Sequence, residues 1–325
     1  MKAIAQDRYG PADVLRLRDV PTPRIGPDDV LVEVRAAGVD PGVWIFMTGR
    51  PYAVRAASGL RRPRVPVRGR DVAGVVAEVG ANVTRFRPGD EVFGTCRSGS
   101  YAEFAAAPEN RLASKPAGMT FEQAAATPIS GGTALQAVRD HARVEKGQQV
   151  LITGATGGVG SFAVQLAKSY GATVTAVCGP TKADLARTLG ADEVIDYTGA
   201  EIDSGGPRYD VIIDIAGCRS LALLRRAAAP KARIALVGGG HDSGGLLGGF
   251  SRQLLQAPFA SMRGGRTFIN AGSRERVDVF DELGRLITGG VVTPTVTRAY
   301  PLAEAPDAIR YLAEGHAAGK VVVTI

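Results

Sequence analysis

Short apolar runs separated by proline and glycine fill roughly the first 120 residues of the chain. Residues 30–34 (VLVEV) and 72–76 (VAGVV) are Val-rich and each has the length of one strand. Proline and glycine recur between such runs, which is the pattern of strands joined by turns. This part of the chain is therefore predicted to form a compact β-rich domain.

From Phe121 onward the pattern changes to helices that alternate with strands. Helical periodicity is predicted at residues 121–126, 158–170 and 277–287, and continuous apolar strands are predicted at 150–152, 174–177, 211–213, 234–237 and 267–269. Continuous apolar strands are typical of a parallel sheet that is covered by helices on both faces. The final run, residues 320–325, has the pattern of a strand and is expected to rejoin the first domain.

A glycine-rich turn carries the strongest chemical signal. The apolar strand at 150–152 leads into Gly154-Ala155-Thr156-Gly157-Gly158-Val159-Gly160, which is followed by a helix and then a second strand. Glycines at such a turn let backbone N–H groups approach a pyrophosphate at the positive end of the helix. A tight turn without a ligand is the simpler alternative, but the strand before it and the helix after it favour a dinucleotide site.

The end of the second strand bears on which dinucleotide binds. An NAD site normally presents an acidic residue there, about 20 residues after the turn, but this sequence has Cys178-Gly179-Pro180-Thr181-Lys182. Without a carboxylate, Thr181 and Lys182 can offer a hydroxyl and a positive charge to a 2′-phosphate. NADPH is therefore predicted, although Lys182 could also be a solvated residue at the start of the next helix.

Three segments of the chain resemble the medium-chain dehydrogenase/reductase superfamily and, within it, the zinc-independent quinone oxidoreductase branch. They are residues 69–94 (beginning GRDVAGVVAEVG), the turn 154–160 with VQLAK at 164–168, and GHAAGKVV at 315–322. The resemblance implies an α/β fold, with a Rossmann doubly wound parallel sheet plus a GroES-like β-rich catalytic domain and the active site in the cleft between them. The expected boundaries are 1–123 with 272–325 for the GroES-like domain and 124–271 for the NADP-binding Rossmann domain.

The same resemblance implies further cofactor contacts. Lys182 and Tyr197 are expected at the 2′-phosphate, although Tyr197 by itself could be strand-end packing. Contacts to the nicotinamide half are expected from Thr133, Val237, Gly238, Gly239, Phe268, Ile269 and Asn270. Tyr52 falls where quinone oxidoreductases place a tyrosine that faces the cleft, with Trp44 nearby, and ordinary packing is the alternative for both.

The sequence departs from the zinc-dependent relatives at two ligand positions. Those relatives carry a Cys and a His where this chain has Asp40 and Arg70, and a guanidinium cannot ligate a cation. The cysteine-rich lobe is replaced by TCRSGSY at 95–101, and His141, His241 and His316 lack ligand spacing. No metal is expected. Asp40 and Arg70 are predicted to form an ion pair across the former metal site, or Arg70 to contact the substrate oxygen.

Without zinc, simple alcohol oxidation loses its Lewis acid. Quinones and α,β-unsaturated ketones need less assistance, because hydride addition spreads the negative charge onto an oxygen that a hydrogen bond can stabilise. The predicted function is thus NADPH-dependent reduction of a small carbonyl substrate. An NADP-dependent alcohol dehydrogenase and a catalytically weak NADPH-binding regulatory protein are the alternatives.

Composition narrows the classes of partner. The 39 basic and 32 acidic residues give a net charge of +7 that is spread along the chain, and without a recognition module this favours an anionic cofactor over nucleic acid. No apolar run has the about 20 residues of a membrane helix, and residues 1–5 alternate like a strand rather than a secretory signal. A cytoplasmic protein is expected, with a homodimer as an open possibility. The arginine-rich segment 58–68 is predicted to be a solvated loop or a guard of the cleft.

Overall fold

The computed structural model describes residues 1–206, 208–238, 248–262, 265–315 and 317–325. Gly239, His241 and His316, which the sequence analysis considered, lie outside this part of the chain. The described residues form two compact units, residues 1–132 with 275–325, and residues 133–274. The unit boundaries thus fall near Thr133 and Glu275.

The first part of the chain supplies seven strands and most of the helices of the first unit. The strands are β1 (Lys2–Ala5), β2 (Arg16–Asp19), β3 (Asp29–Val39), β4 (Asp71–Val79), β5 (Glu91–Thr95), β6 (Phe104–Pro108) and β7 (Leu112–Ser114). The helices are α1 (Pro41–Thr48), α2 (Val54–Ser58), α3 (Phe121–Ala125) and the start of α4 (Pro128–Leu135). From Thr133 onward α4 belongs to the second unit, where it continues as a π-helix over Gln136–His141.

The second unit alternates strands and helices. Its strands are β8 (Gln149–Thr153), β9 (Thr173–Cys178), β10 (Glu193–Asp196), β11 (Tyr209–Asp214), β12 (Ala228–Leu236) and β13 (Thr267–Asn270). Its helices are α5 (Gly158–Ser169), α6 (Ala183–Thr188), α7 (Leu221–Ala227) and α8 (Gly248–Ser261). The chain then returns to the first unit with α9 (Val277–Thr288), β14 (Val296–Pro301), α10 (Ala305–Ala313) and β15 (Lys320–Thr324).

A parallel six-stranded sheet organises the second unit. Its order is β10-β9-β8-β11-β12-β13 and every neighbouring pair is parallel. The strand order therefore reverses between β8 and β11, which is the doubly wound arrangement whose ligands bind at the carboxyl ends of the strands beside that reversal. The prediction of a Rossmann sheet is confirmed.

The first unit is built on a mixed seven-stranded sheet. Its order is β14-β15-β3-β4-β5-β7, and β6 also pairs with β3. Buried Val and Ala side chains from β3, β4, β5 and β6 form one core, and a second core packs α1 and α10 against β15. The C-terminal strand β15 is thus antiparallel to β3 and buried in the first unit.

Candidate active site

The turn between β8 and α5 requires glycine at two positions. Gly154 has a φ of +63°, in the left-handed region that glycine adopts without strain. A Cβ on Gly160 would lie 2.1 Å from the carbonyl oxygen of Gly154, so a side chain there would collide with backbone. The glycines allow the start of the helix to pack directly on the turn that follows the strand.

The N-terminus of α5 is open to a ligand. Its N-cap is Gly157, whose extended backbone provides no side-chain cap, so the first N–H groups of the helix lack a side-chain acceptor. Thr156, Gly158 and Val159 lie in the same turn, at the positive end of the helix dipole. This arrangement suits a phosphate group, and it lies at the carboxyl end of β8 beside the reversal of strand order.

The structure brings Lys182 and Tyr197 to the end of β9. The Tyr197 hydroxyl lies close to Gly179, since a Cβ placed on that glycine would be 3.5 Å from the hydroxyl oxygen. Tyr197 is 55% exposed. Lys182 is half-buried, and this burial lowers its pKa. Thr181 is exposed one residue before it. Thr181, Lys182 and Tyr197 therefore all lie near the end of β9, and their role at a 2′-phosphate stays a prediction.

A second basic residue near this strand end was missed by the sequence analysis. Burial is the main cause that raises the pKa of Cys178, the charge of Asp196 raises it further, and the charges of Lys182 and Arg187 oppose the rise. Arg187 also pairs with Asp184 at 2.9 Å. The charges around Cys178 therefore include Arg187 and Asp196 in addition to Lys182.

The other predicted cofactor residues lie near the ends of strands or helices. Thr133 donates a hydrogen bond from its hydroxyl to that of Ser273 at 3.0 Å. A Cβ on Gly238 would lie 1.7 Å from the carbonyl oxygen of Ile215, so only glycine fits after Val237. Phe268 is buried in the core of the unit, whereas Asn270 is exposed at the end of β13.

A buried hydrogen bond joins the two strands at the reversal of strand order. Asp214, at the end of β11, accepts a hydrogen bond of 2.6 Å from the hydroxyl of Thr153, at the end of β8. Burial raises the pKa of Asp214. The backbone N–H of Ala216 donates to the same threonine oxygen at 3.1 Å. These residues position the strand ends next to the glycine turn. In the sequence, this contact could have been predicted from the polar residue that ends each of the two apolar strands.

Asp40, in the first unit, acts as a helix cap. Its Oδ1 accepts a hydrogen bond of 2.7 Å from the backbone N–H of Gly42, and Pro41 occupies the first turn of α1. The side chain is buried, and its Oδ2 has no hydrogen-bond partner among the described residues. One carboxylate oxygen is thus committed to the start of the helix.

The expected ion pair between Asp40 and Arg70 is wrong. Arg70 instead pairs with Glu275, which lies 205 residues later in the chain. The second oxygen of Glu275 accepts hydrogen bonds from Arg111 at 2.9 Å and from the Thr95 hydroxyl at 3.0 Å. The physical reason is that a carboxylate from the returning segment takes Arg70, while Asp40 caps α1.

The buried ion pair of this region joins two other residues. Asp71 and Lys320 are both almost fully buried, and Nζ lies 3.5 Å from Oδ2. Burial raises the pKa of Asp71 to about 7, while the Lys320 charge and the Ile129 N–H oppose the rise, and the Asp40 and Glu275 charges add to it. The pair connects the start of β4 to the start of β15.

A pocket of about 310 Å³ lies beside Arg70 within the first unit. Its lining comes from α1, α2, the loop before β4, the loop after β5 and the turn before β7. It consists of Val43, Phe46, Ala57, Ser58, Arg64, Val65, Val67, Arg68, Gly69, Arg70, Cys96, Arg97, Gly99 and Arg111. Tyr52 is outside this lining, 47% exposed, and packs against Arg55, whose guanidinium carbon is 4.9 Å from the ring centre. Trp44 packs against the core around α1 and α10.

Comparison with known proteins decides the family. Residues 26–117 match the model described as alcohol dehydrogenase GroES-like domain, and residues 189–323 match that described as zinc-binding dehydrogenase. The chain is 34% identical to the chloroplastic NADPH-dependent alkenal/one oxidoreductase of Arabidopsis thaliana, over 99% of this chain and 79% of the relative. This chain is a medium-chain dehydrogenase/reductase.

Two further similarities extend over the whole medium-chain dehydrogenase/reductase chain. It is 32% identical to the mitochondrial NAD(P)H oxidoreductase RTN4IP1 of Mus musculus, over 100% of this chain and 89% of the relative. The structure of the quinone oxidoreductase from Coxiella burnetii superposes with a TM-score of 0.87 at 28% identity, covering 100% of this chain and 99% of that one. The resemblance stated from the sequence is confirmed.

The described part of this medium-chain dehydrogenase/reductase has neither a cluster of metal-ligating side chains nor a helix that could span a membrane. No group of three or more His, Cys, Asp or Glu side chains there could hold a metal ion. None of the helices described is long and apolar enough to cross a membrane.

Proposed function

We propose that this protein is an NADPH-dependent oxidoreductase that reduces a quinone, an α,β-unsaturated ketone or a similar small carbonyl compound without zinc. The names of the relatives support this class, since they include an NADPH-dependent alkenal/one oxidoreductase and a quinone oxidoreductase. Preference for NADPH over NADH is part of the proposal. A cytoplasmic location and a homodimer stay predictions, and relatives carry mitochondrial or chloroplastic in their names.

The residues of the second unit fit a dinucleotide. The uncapped start of α5, with Gly157, Gly158, Val159 and Gly160, would bind the pyrophosphate through backbone N–H groups. Lys182, Thr181 and Tyr197 would hold the 2′-phosphate. Thr133, Gly238 and Asn270 would contact the nicotinamide half. When bound, NADPH supplies the hydride for the reaction.

Arg70 would stabilise the negative charge that develops on the substrate oxygen. Its guanidinium lines the pocket, and Glu275 and the surrounding loops fix its position. A fixed positive hydrogen-bond donor can do for an enolate or a hydroquinone oxygen what a metal does for an alkoxide. The half-buried pair with Glu275 keeps the donor oriented before the substrate arrives.

The observation that carries the proposal is that Arg70, which lines the pocket, occupies a position where the zinc-dependent relatives have a metal ligand. Asp40 caps a helix and Arg70 is held by Glu275, so each residue at the two ligand positions has another structural role. A substrate that needs only a hydrogen bond and a positive charge at its oxygen suits this pocket better than an alcohol that must lose a proton.

The test follows the loss of NADPH absorbance in the presence of enones, quinones, aldehydes and simple ketones. We expect reduction of enones or quinones, and a kcat lowered about 100-fold in Arg70→Met because one donor to the oxyanion is lost. Arg85→Met is the matched control, since Arg85 also pairs with a carboxylate of the first unit, Asp281, but lies outside the pocket lining. Oxidation of simple alcohols with no reduction of enones or quinones would contradict the proposal.

A further inference from the structure

Among the described residues, the pocket of the first unit is lined by five arginines and no acidic residue. They are Arg64, Arg68, Arg70, Arg97 and Arg111. Two of them, Arg70 and Arg111, share the single carboxylate of Glu275, which is not itself among the described lining residues. The guanidinium groups around the pocket are therefore only partly neutralised by the protein.

Arg68 is the residue that most requires a partner. It is 6% exposed, and Nη1 donates a hydrogen bond of 3.3 Å to the backbone carbonyl of Phe46. Among the residues that the structure describes, its buried Nε has no hydrogen-bond partner and no carboxylate lies within salt-bridge distance of its guanidinium. Burial lowers the pKa of Arg68 to about 10, and the side chain stays charged at neutral pH. A buried charge without a counterion is costly, so a negative ligand would relieve it.

Two further arginines could assist at the exposed side of the pocket. Arg64 and Arg97 are exposed, and Arg64 makes a long contact of 3.5 Å with the carbonyl oxygen of Ala57. Like charges lining a concave site raise the local concentration of anions and speed their binding. The planar guanidinium forms two parallel hydrogen bonds with a carboxylate, a geometry that lysine cannot match.

Apart from Ser58, the remaining lining residues of the pocket are apolar. Val43, Phe46, Val65 and Val67 contribute aliphatic and aromatic surface, together with Cys96. Burial raises the pKa of the Cys96 thiol to about 12, so this residue adds a neutral wall and no charge. The pocket thus suits a small ligand with an apolar body and one anionic group.

We propose that this pocket binds a carboxylate group of the substrate through Arg68, and that the preferred substrate is a conjugated carbonyl compound that carries a carboxylate. The inference rests on the proposed function and narrows its substrate class. Arg70 acts on the carbonyl oxygen, whereas Arg68 determines specificity by donating hydrogen bonds to the carboxylate.

The kinetic test compares an enone that bears a carboxylate with its methyl ester, which has the same conjugated system but no charge. We expect kcat/KM to be at least about tenfold higher for the acid, mainly through KM, which corresponds to ~1.4 kcal/mol. In Arg68→Met the kcat/KM values for the acid and the ester should be about equal, and in Arg68→Lys the advantage of the acid should be intermediate. Arg24→Met, which removes an exposed arginine of the same unit outside the pocket lining, should keep the full advantage.

A binding test separates the pocket from catalysis. Titration calorimetry with the saturated keto acid 4-oxopentanoate should give heat with the wild type and none with Arg68→Met. Inorganic phosphate serves as the second probe, and tighter binding of phosphate than of the keto acid would overturn the assignment of a carboxylate in favour of a phosphorylated substrate.

The melting temperature of Arg68→Met should equal or exceed that of the wild type, because a buried charge is removed. A large loss of stability would assign Arg68 a structural role and overturn the proposal.

The two proposals fail in different ways. If the acid and the ester are reduced equally well by the wild type, the pocket assignment is wrong and the proposed function stands. If neither is reduced but the keto acid binds in an Arg68-dependent manner, the proposed function is wrong and the pocket assignment stands.

Discussion

Glu275 fixes the positions of two arginines that line the pocket. It is 18% exposed at the side chain, Arg111 is 29% exposed and Arg70 is 37% exposed, so both pairs lie between the surface and the interior. Exposed pairs contribute about 0–1 kcal/mol, whereas breaking a buried pair costs about 3–5 kcal/mol. The partial burial makes Glu275 more important for orienting the two guanidinium groups than for stability.

The proposed preference for NADPH depends on Lys182. Replacing Lys182 with Ala should weaken NADPH binding at least about tenfold, ~1.4 kcal/mol, because a charge-assisted contact to the 2′-phosphate is lost. NADH binding should stay within about twofold, and the affinities are measured by fluorescence titration. Lys146→Ala is the control, because Lys146 is an exposed lysine of the same unit, far in sequence from the end of β9. Equal affinity of the wild type for NADPH and NADH would show that the phosphate assignment is wrong.

At the scale of elements, two glycines of one turn should respond differently to the same substitution. Gly160→Ala forces a methyl group to 2.1 Å from backbone, so α5 must shift, at a cost of about 1–3 kcal/mol. Gly157→Ala meets its nearest atom at 3.4 Å and should change the free energy of unfolding by less than about 1 kcal/mol, yet weaken NADPH binding because the methyl group stands where the pyrophosphate approaches. Urea unfolding and cofactor titration on both variants check this. Equal loss of stability in the two would contradict it.

The pair that joins β4 and β15 should make stability depend on pH. The folded pKa of Asp71, about 7, lies above its ordinary value of 3.8. Ionisation of Asp71 therefore opposes folding. Its contribution lowers the free energy of unfolding as the pH rises from about 4 to about 7, and above about pH 7 this contribution no longer changes. Removing Lys320 leaves the ionised carboxylate buried alone. Lys320→Met should thus cost ~3–5 kcal/mol at about pH 8 and clearly less at about pH 5.

A paired variant provides the control for that experiment. Asp71→Asn combined with Lys320→Met removes both charges and should recover most of the loss at about pH 8, since a buried pair replaced on both sides is often close to neutral. Chemical unfolding at the two pH values gives the comparison. A cost of Lys320→Met that is the same at both would show that Asp71 does not titrate in this range.

At the scale of the whole molecule, the purified protein should contain no stoichiometric zinc and keep its full activity in a strong chelator. The reason is local, because Asp40 caps α1 and Arg70 places a positive charge where a ligand would be required. Metal analysis of the purified protein and assays before and after chelation measure this. About one zinc per chain that is lost together with activity would refute the prediction.

The fold of the whole chain was largely predictable from local patterns. The apolar runs at residues 150–152, 174–177, 211–213 and 267–269 all lie in strands of the parallel sheet, and the helix at 158–170 begins at the predicted glycine turn. Hydrophobic periodicity reports burial directly, and a glycine turn is contiguous in sequence. The predicted cofactor residues near Gly154 depended on the same contiguous signal.

The sequence by itself therefore determined the two kinds of sheet, the glycine turn after β8 and the family. Only the tertiary structure decided which charges meet. Arg70 pairs with Glu275 rather than Asp40, Asp71 pairs with Lys320, and Arg68 is buried with no carboxylate partner among the described residues. The physical reason is that an ion pair depends on the distance and the burial of two side chains, and those are set by strands and loops far apart in sequence, whereas the preference for a strand, a helix or a glycine turn is encoded within a few neighbouring residues.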